Sequence, residues 1–488
     1  MLPERLRPLI EHTAALAARF EEANRKLYLV GGVVRDAISG RLGPDGDLDF
    51  TTDATPEETE RIVAPIAEAT WDQGRRFGTI GARVGGRKVE ITTHRAEAYH
   101  PDSRKPDVVF SEAVEADLSR RDFTINAMAL RLPGLQLVDP FDGVADLAAG
   151  RLRTPLSPEV SFSDDPLRML RAARFVAGHR LLPDQELLDA IVALRGRLDI
   201  VSDERLRDEL DKLMVVESPA DGLWLLVRTG LAAEFLPELP ALALEQDPVH
   251  RHKDVLAHTI AVVDKTSPDR LLRLAALFHD IGKPKTRSFG PHGAVSFHHH
   301  ELVGARMTRD RMRALRYPSD DVEVVSRLVE LHLRFHTYQM GWTDSAVRRY
   351  VRDAGPLLDK LNELTRCDCT TRNPAKAAAL SRRMDELEAR VAELRNHEEL
   401  AALRPDLDGV EVMARLGVGP GRVVGDALAY LLELRLEEGP LGKEEAAQRL
   451  DAWWARRGSA EGGPSLRQAR KALEHPRSEP FSSPPCEP

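Results

Sequence analysis

The sequence predicts a multidomain α+β protein: a small mixed sheet near the N-terminus, then helices through the rest of the chain. Three observations predict this. The 488 residues, at roughly 150 residues per domain, call for about three packed cores. Hydrophobic residues make up 42%, charged residues 30% and aromatics only 5%, the profile of a helix-rich globular chain rather than a disordered or fibrous one. Short β-branched runs with Gly turns are confined to residues 25–143, and apolar spacings of three and four take over beyond them.

Composition also sets exclusions. No apolar run approaches the ~20 residues that span a bilayer, and MLPERLRPLIEHTAALAARF carries Glu4 and Glu11 and lacks an apolar signal core. Three cysteines cannot build a disulfide framework. A cytoplasmic chain with no membrane and no obligate protein partner is expected. The net charge of −9 argues against a surface that coats nucleic acid indiscriminately. Local recognition is still open, because the stretch from Asp164 to Arg180 holds four arginines against two acids.

Four parts and a tail follow in order: a head over 1–143, a helical neck over 144–245, a third unit over 246–375, a helical tail over 376–457 and a disordered end over 458–488. The head mixes LYLVGG, DLDFTT, GTIGARV and KVEITT with the helical PEETERIVAPIAEA. In the neck Leu167, Leu170 and Phe175, and then Leu206, Leu210 and Leu213, keep helical spacing. The third unit stands out by histidine: ten of sixteen lie between His250 and His336, where even spacing would place about three. The tail carries a charged helix, the loop GVGPGRVVG and more helix to about Trp454. After Gly458 the Gly/Ser/Pro/Glu-rich sequence lacks the apolar content for a core.

In LYLVGGVVRDAIS a strand feeds a helix through Gly31-Gly32, a turn whose bare backbone amides can approach a phosphate. Arg35 on that helix joins the two glycines as a nucleotide-binding candidate. Asp47 and Asp49 are two apart in an extended run and share a face. Like charges held together are unfavourable without a cation between them, and two carboxylates suit Mg²⁺ that also grips phosphates. Alternate aspartates on an exposed edge strand are the plainer alternative. In SRRDFTINAMAL, Arg120 and Arg121 can serve triphosphate oxygens, Asp122 can accept from a ribose hydroxyl and Asn126 can brace the loop. In DDPLRMLRAARF, Asp165, Arg168, Arg171 and Arg174 recur every three residues along one helix side. Taken alone, that spacing describes an ordinary surface ion-pair row.

Together, GGVVRD with DLDFTT, RRDFTINAMAL, DPFDG at 139–143, DDPLRMLRAARF and ERLRDEL at 204–210 closely resemble the class II tRNA nucleotidyltransferase and bacterial poly(A) polymerase family, of the polymerase-β-like superfamily. The resemblance covers about residues 25–240 strongly and the rest more loosely. It implies a polymerase-β-like head in which Asp47 and Asp49 bind catalytic Mg²⁺ and Arg121 and Asp122 contact ribose and triphosphate. It further implies that DPFDG flexes between head and neck, and that Asp165 and Arg168 read the incoming base. Asp164 stands where the family commonly has Glu, which leaves the charge unchanged. Glu90 on KVEITT is the candidate for a third acidic ligand.

Base chemistry agrees with that assignment. Cytosine and adenine each present an amino donor beside a ring-nitrogen acceptor, so a carboxylate can accept from the first while a guanidinium donates to the second. Guanine and uracil reverse the order. One Asp165/Arg168 pair would therefore take CTP and ATP and refuse GTP and UTP.

HKDVLAHTI, LFHDIGK and LTRCDCTTRN supply His258, His279-Asp280 and Asp368, which resemble the ligand set of the HD phosphohydrolase superfamily and suit Mn, Ni, Fe or Zn. His300 and His332 are candidates for a second metal, although FHHHE at 297–301 offers more than one register. Phosphohydrolase activity and a structural role remain open for this unit. The expected function is template-independent addition of C, C and A to tRNA 3′ ends from CTP and ATP. The rivals are a poly(A) polymerase, an enzyme adding only A or only C, and an HD phosphohydrolase with a nucleotide-sensing head.

Overall fold

The alternating segments LYLV, LDFTT, TIGARV and KVEITT all form strands of one mixed sheet. A computed structural model of the chain describes residues 7–42, 48–71, 75, 78–100, 103–111, 113–244, 254–290, 295–337, 342–369, 374–397 and 403–458. It divides into two units, Met1–Glu330 and Leu331–Pro488, a boundary that falls inside the expected 246–375 span. Asp47 and the C-terminal stretch 459–488, expected to be disordered, lie outside the described residues.

The first unit opens with α1 (Arg7–Glu22), β1 (Leu27–Val30), α2 (Gly32–Ser39), β2 (Leu48–Thr52), α3 (Pro56–Val63), β3 (Ala69–Trp71), β4 (Thr79–Val84) and β5 (Arg87–Thr93). A separate two-stranded hairpin, β6 (Arg95–His100) and β7 (Ser103–Phe110), precedes α4 (Val114–Ser119), β8 (Ala129–Leu132) and β9 (Gln136–Val138). The large sheet runs β3-β4-β5-β2-β1-β8-β9, with β2 and β5 parallel and the remaining neighbours antiparallel. Side chains alternate across a strand, so Leu27, Leu29, Phe50 and Ile91 enter one core with Leu16 and Phe20 of α1. Tyr28, Val30 and Ala129 face the other way, beneath Val114 and Leu118 of α4. One register row crosses the whole sheet through Trp71, Gly81, Glu90, Asp49, Val30, Ala129 and Val138. Asp49 and Glu90 thus stand side by side on neighbouring strands.

Helices follow: α5 (Gly143–Ala149), β10 (Arg151–Leu152), α6 (Pro158–Asp164), α7 (Leu167–His179), β11 (Leu182–Pro183), α8 (Gln185–Leu194), α9 (Asp203–Met214), α10 (Ala220–Arg228) and α11 (Leu231–Phe235). Then come α12 (Val255–Lys265), α13 (Arg270–Phe278), α14 (Lys283–Thr286), β12 (Arg287–Phe289), β13 (Val295–Phe297), α15 (His300–Ala314) and α16 (Ser319–Leu331). Strands do not stop at residue 143 as expected. The pairs β10 with β11 and β12 with β13 are two or three residues long, too short to show a period of two.

Asp165 also departs from expectation. It lies in extended conformation in the break between α6 and α7, because the residue before a proline is driven out of helical geometry and Pro166 follows it. Only Arg168, Arg171 and Arg174 of that row are helical.

The second unit contains α17 (Asp344–Ala354), α18 (Leu358–Asp368), α19 (Pro374–His397), α20 (Gly409–Leu416), α21 (Arg422–Glu438) and α22 (Lys443–Gly458). Leu407, Val412, Ala427, Leu431 and Leu450 form the core beneath its last three helices. The glycine loop joins α20 to α21, with Gly417 at φ +64° closing α20, a left-handed position that glycine takes without steric cost.

Candidate active site and metal cluster

β1 ends where the glycine turn begins. Gly31 has φ +80° and starts α2 with no side-chain cap, leaving the first amides of that helix to an external acceptor. A Cβ on Gly31 would lie 3.4 Å from Nη1 of Arg121 and 3.7 Å from Oδ2 of Asp49. The turn, the arginine and the carboxylate therefore converge, and Asp49 is exposed at that point. An anion and a cation have adjacent berths here. Arg121 donates to Asp117 at 3.3 Å, and Arg120 to the same carboxylate at 2.7 Å. Burial alone would raise the Asp117 carboxyl, but the two guanidiniums hold it below its usual range.

Asp122 is differently placed from the expected ribose contact. It is buried, with Oδ1 accepting from the Phe123 amide at 2.8 Å and from Asn126 at 2.9 Å, and Oδ2 from Nε of Arg171 at 2.8 Å. Both oxygens are engaged within the protein. Burial opposes the charge, but Arg171 and the hydrogen bonds prevail and hold the carboxyl down at about 2. Asn126 in turn accepts from Arg35 at 2.7 Å. A continuous relay, Arg35–Asn126–Asp122–Arg171, thereby ties α2 to α7. The Phe175 ring lies under three guanidinium carbons, those of Arg174 at 4.7 Å, Arg35 at 5.4 Å and Arg171 at 5.8 Å. Arg174 is countered by Glu209 at 2.8 Å. His179, stacked on the same ring, is pushed down to about 4 by burial and by the neighbouring Arg35.

Asp165 and Arg168, the pair expected to read the base, are also wired otherwise than the sequence suggested. Asp165 takes a hydrogen bond from Arg205 of α9 at 2.7 Å and, through its other oxygen, one from the Leu167 amide at 3.2 Å. Arg168, largely buried, donates to the Ser161 hydroxyl at 2.9 Å, to the Ser161 carbonyl at 3.2 Å and to the Arg120 carbonyl. Among the described residues, three of its five N–H donors are thus committed, leaving two. Sequence reasoning gave no role to Asp117, Arg205 or Glu209. Arg205 and Glu209 lie in ERLRDEL, so the motif was visible while its partners, 40 and 35 residues away, were not.

Glu90 shares the Asp49 row, but its carboxylate is paired with Lys88 at 2.7 Å. Asp47, outside the described residues, has no structural account.

A second cluster brings together His258 of α12, His279-Asp280 just past the end of α13 and His300 opening α15. Nδ1 of His279 lies 2.7 Å from the Ala276 carbonyl and Nδ1 of His300 lies 2.8 Å from the Phe297 carbonyl. Donation to those carbonyls puts the proton on Nδ1 and leaves Nε2 as a lone pair. Nε2 of His279 is 3.3 Å from that of His258 and 3.2 Å from Asp280 Oδ2, while Nε2 of His300 is 3.4 Å from Asp280 Oδ1. Lone pairs and a carboxylate facing one another are the donor set of a cation, so the residues fit a metal ion. Lys283 donates to Oδ2 of Asp280 at 2.7 Å. Of the three consecutive histidines, His299 has φ +60° and is exposed, and it is His300 that turns inward. His332 and Asp368 belong to the second unit; His332 is buried and Asp368 ends α18 near His336.

Comparison with known proteins follows the same order along the chain. Residues 27–153 match the poly A polymerase head domain, 183–242 a probable RNA and SrmB-binding site of polymerase A, and 254–394 the HD domain. The A-adding tRNA nucleotidyltransferase of Deinococcus radiodurans is 35% identical over 443 residues, which is 88% of this chain and 95% of that protein. The CCA-adding enzyme of Streptococcus gordonii is 40% identical over 222 residues, 45% of this chain and 54% of that enzyme. The chain thus aligns with about half the length of that relative. The crystal structure of Bacillus stearothermophilus CCA-adding enzyme in complex with CTP superposes with a TM-score of 0.70 at 23% identity, covering 94% of this chain and 100% of that one. That likeness is one of fold. Among the described residues no helix is long and apolar enough to cross a membrane. The chain belongs to the tRNA nucleotidyltransferase and poly(A) polymerase family and is a nucleotidyltransferase.

Proposed function

We propose that the chain adds C, C and A to tRNA 3′ ends, using CTP and ATP and releasing pyrophosphate. One observation carries the reading: Arg168 of the base-reading segment is hydrogen-bonded to the Arg120 carbonyl, beside the Arg121 that faces Gly31 and Asp49. Base selection and phosphate binding thus share one wall. Head, neck, metal-binding unit and tail take the spans 1–143, 144–245, 246–375 and 376–457, with tRNA as partner and the cytoplasm as location.

The α2 amides after Gly31 and the guanidinium of Arg121 receive triphosphate oxygens, and Arg35, Arg171 and Arg174 keep that wall positive. Asp47 and Asp49 would hold Mg²⁺, which when bound neutralises the attacking and leaving oxygens. Asp165 accepts the amino proton of cytosine or adenine, and the two N–H donors left on Arg168 serve the ring nitrogen. Asp122 acts beneath these groups, anchoring Arg171 and Asn126. In the second cluster His258, His279 and Asp280 would hold a transition metal, Mn, Ni, Fe or Zn, with His300 beside them; His332 and Asp368 are the further ligands proposed from sequence.

The test is incubation of tRNA ending before CCA, after C and after CC with each labelled nucleotide. Incorporation of C, C and then A, with UTP and GTP refused, is expected; unlimited A addition would replace this reading with poly(A) synthesis. Alignment over 95% of the Deinococcus A-adding enzyme favours one second reading, addition of the terminal A alone. Under that second reading this chain would label only tRNA already ending in CC, and only with ATP.

A further inference from the structure

The row that carries Asp49 continues away from the nucleotide turn, through Glu90 on β5 and Gly81 on β4 to Trp71 at the end of β3. Gly81 leaves its strand bare, and the indole of Trp71 fills the gap: a Cβ built on Gly81 would meet Nε1 of Trp71 at 1.9 Å. Register partners project to the same face, so the ring lies on the face that carries Glu90 and Asp49. The Lys88 ammonium is 5.9 Å from the ring centroid and 2.7 Å from Glu90. Neither Glu90 nor Lys88 is covered, at 45% and 57% side-chain exposure. With neighbouring strands about 4.8 Å apart, an indole over β4 lies about 10 Å from Asp49, within the reach of one nucleotide.

In-line phosphoryl transfer puts the attacking hydroxyl and the departing pyrophosphate on opposite sides of the phosphorus. Gly31 and Arg121 occupy the β1 side of Asp49, and that is where the triphosphate belongs. The attacking strand must then enter over β5 and β4. We propose that Trp71 is the stacking platform for the 3′-terminal nucleotide of the RNA being extended, with Lys88 serving that strand's phosphate. A base of any identity stacks on an indole, which suits an acceptor whose last residue changes at every addition. The inference rests on nucleotidyl transfer taking place at Asp49.

The experiment uses the full-length enzyme and tRNA ending in CC, with tRNA and ATP each varied while the other is saturating. Trp71→Ala should raise the KM for tRNA about tenfold and leave the KM for ATP within about twofold, and Trp71→Phe should preserve most of the wild-type value. Gly81→Ala, which forces the indole off β4 without removing it, should reproduce Trp71→Ala. In parallel, an acceptor-stem RNA with 2-aminopurine as its last residue should be quenched on binding the wild-type enzyme. A folded Trp71→Ala enzyme with unchanged tRNA KM, or one whose ATP KM rises equally, would overturn the platform. Should both variants fail to fold, the wild-type measurement decides, because a terminal 2-aminopurine that binds without quenching is not stacked on Trp71. A wild-type enzyme that binds and quenches this RNA but incorporates nothing would sink the transfer reading instead.

Discussion

Asp49 is exposed and Asp122 is buried, and those surroundings decide what each carboxylate can do. Asp49 is exposed on β2 beside Gly31 and Arg121, so removing its carboxylate opens no cavity. Asp49→Ala should abolish nucleotide incorporation and leave the thermal transition within about 1 °C of wild type, as for a surface substitution. An active Asp49→Ala enzyme would refute the metal assignment. Asp122 is buried and its carboxyl is held at about 2, below the ordinary 3.8. A depressed carboxyl stabilises the fold above its ordinary value and ceases to as the pH falls through about 2. The shift corresponds to about 2 kcal/mol. Asp122→Asn should therefore lose roughly that much stability in denaturant unfolding, by the same amount at pH 5 and pH 8. A loss confined to pH 8 would show that another group is responsible.

At the level of elements, α9 does the work that the sequence did not disclose. Arg205 on one turn fixes Asp165, and Glu209 one turn later holds Arg174 at 2.8 Å and approaches Arg171 at 3.7 Å. Regular Asp/Arg spacing in DDPLRMLRAARF suggested a self-contained pair; Pro166 breaks the helix between its members, and the true partners arrive from α9. Local spacing cannot reveal a contact made by tertiary packing. Arg205→Ala should free Asp165, lower CTP and ATP incorporation together by about tenfold, and relax the refusal of UTP and GTP. Unchanged selectivity would return Asp165 to an ordinary ion pair. The far end of α9 is held by Arg273 of α13, fully buried, whose guanidinium donates to the carbonyls of Met214, Val216, Glu217 and Thr266. A buried cation satisfied by backbone oxygens needs the planar fork of arginine. Arg273→Met should cost about 3 kcal/mol, and Arg273→Lys should recover little of it; full recovery by lysine would mean that charge, not geometry, holds the junction.

Across the molecule, the legible parts were those written in short segments: the glycine turn before α2 and His279-Asp280, whose neighbours in sequence are also neighbours in space. Sequence could not choose among three consecutive histidines, because the choice is made by the left-handed backbone at His299 and the start of α15. The candidate metal cluster draws on α12, the end of α13 and α15, and the proposed nucleotide wall on α2, β2, α4, α7 and α9. The two meet through α13, since Arg270 is 3.1 Å from Asp211 and Arg273 binds the Met214 carbonyl, both on α9. Those contacts use the first turns of α13, before His279, and need no ligand of the cluster. His279→Ala combined with Asp280→Ala should therefore strip bound transition metal, read by elemental analysis of purified protein, while tRNA extension stays within about twofold of wild type and Arg273 still secures α9. A folded double variant that loses extension would show instead that the metal cluster sets the position of α9, and through Arg205 and Glu209 the geometry at Asp165 and Arg174.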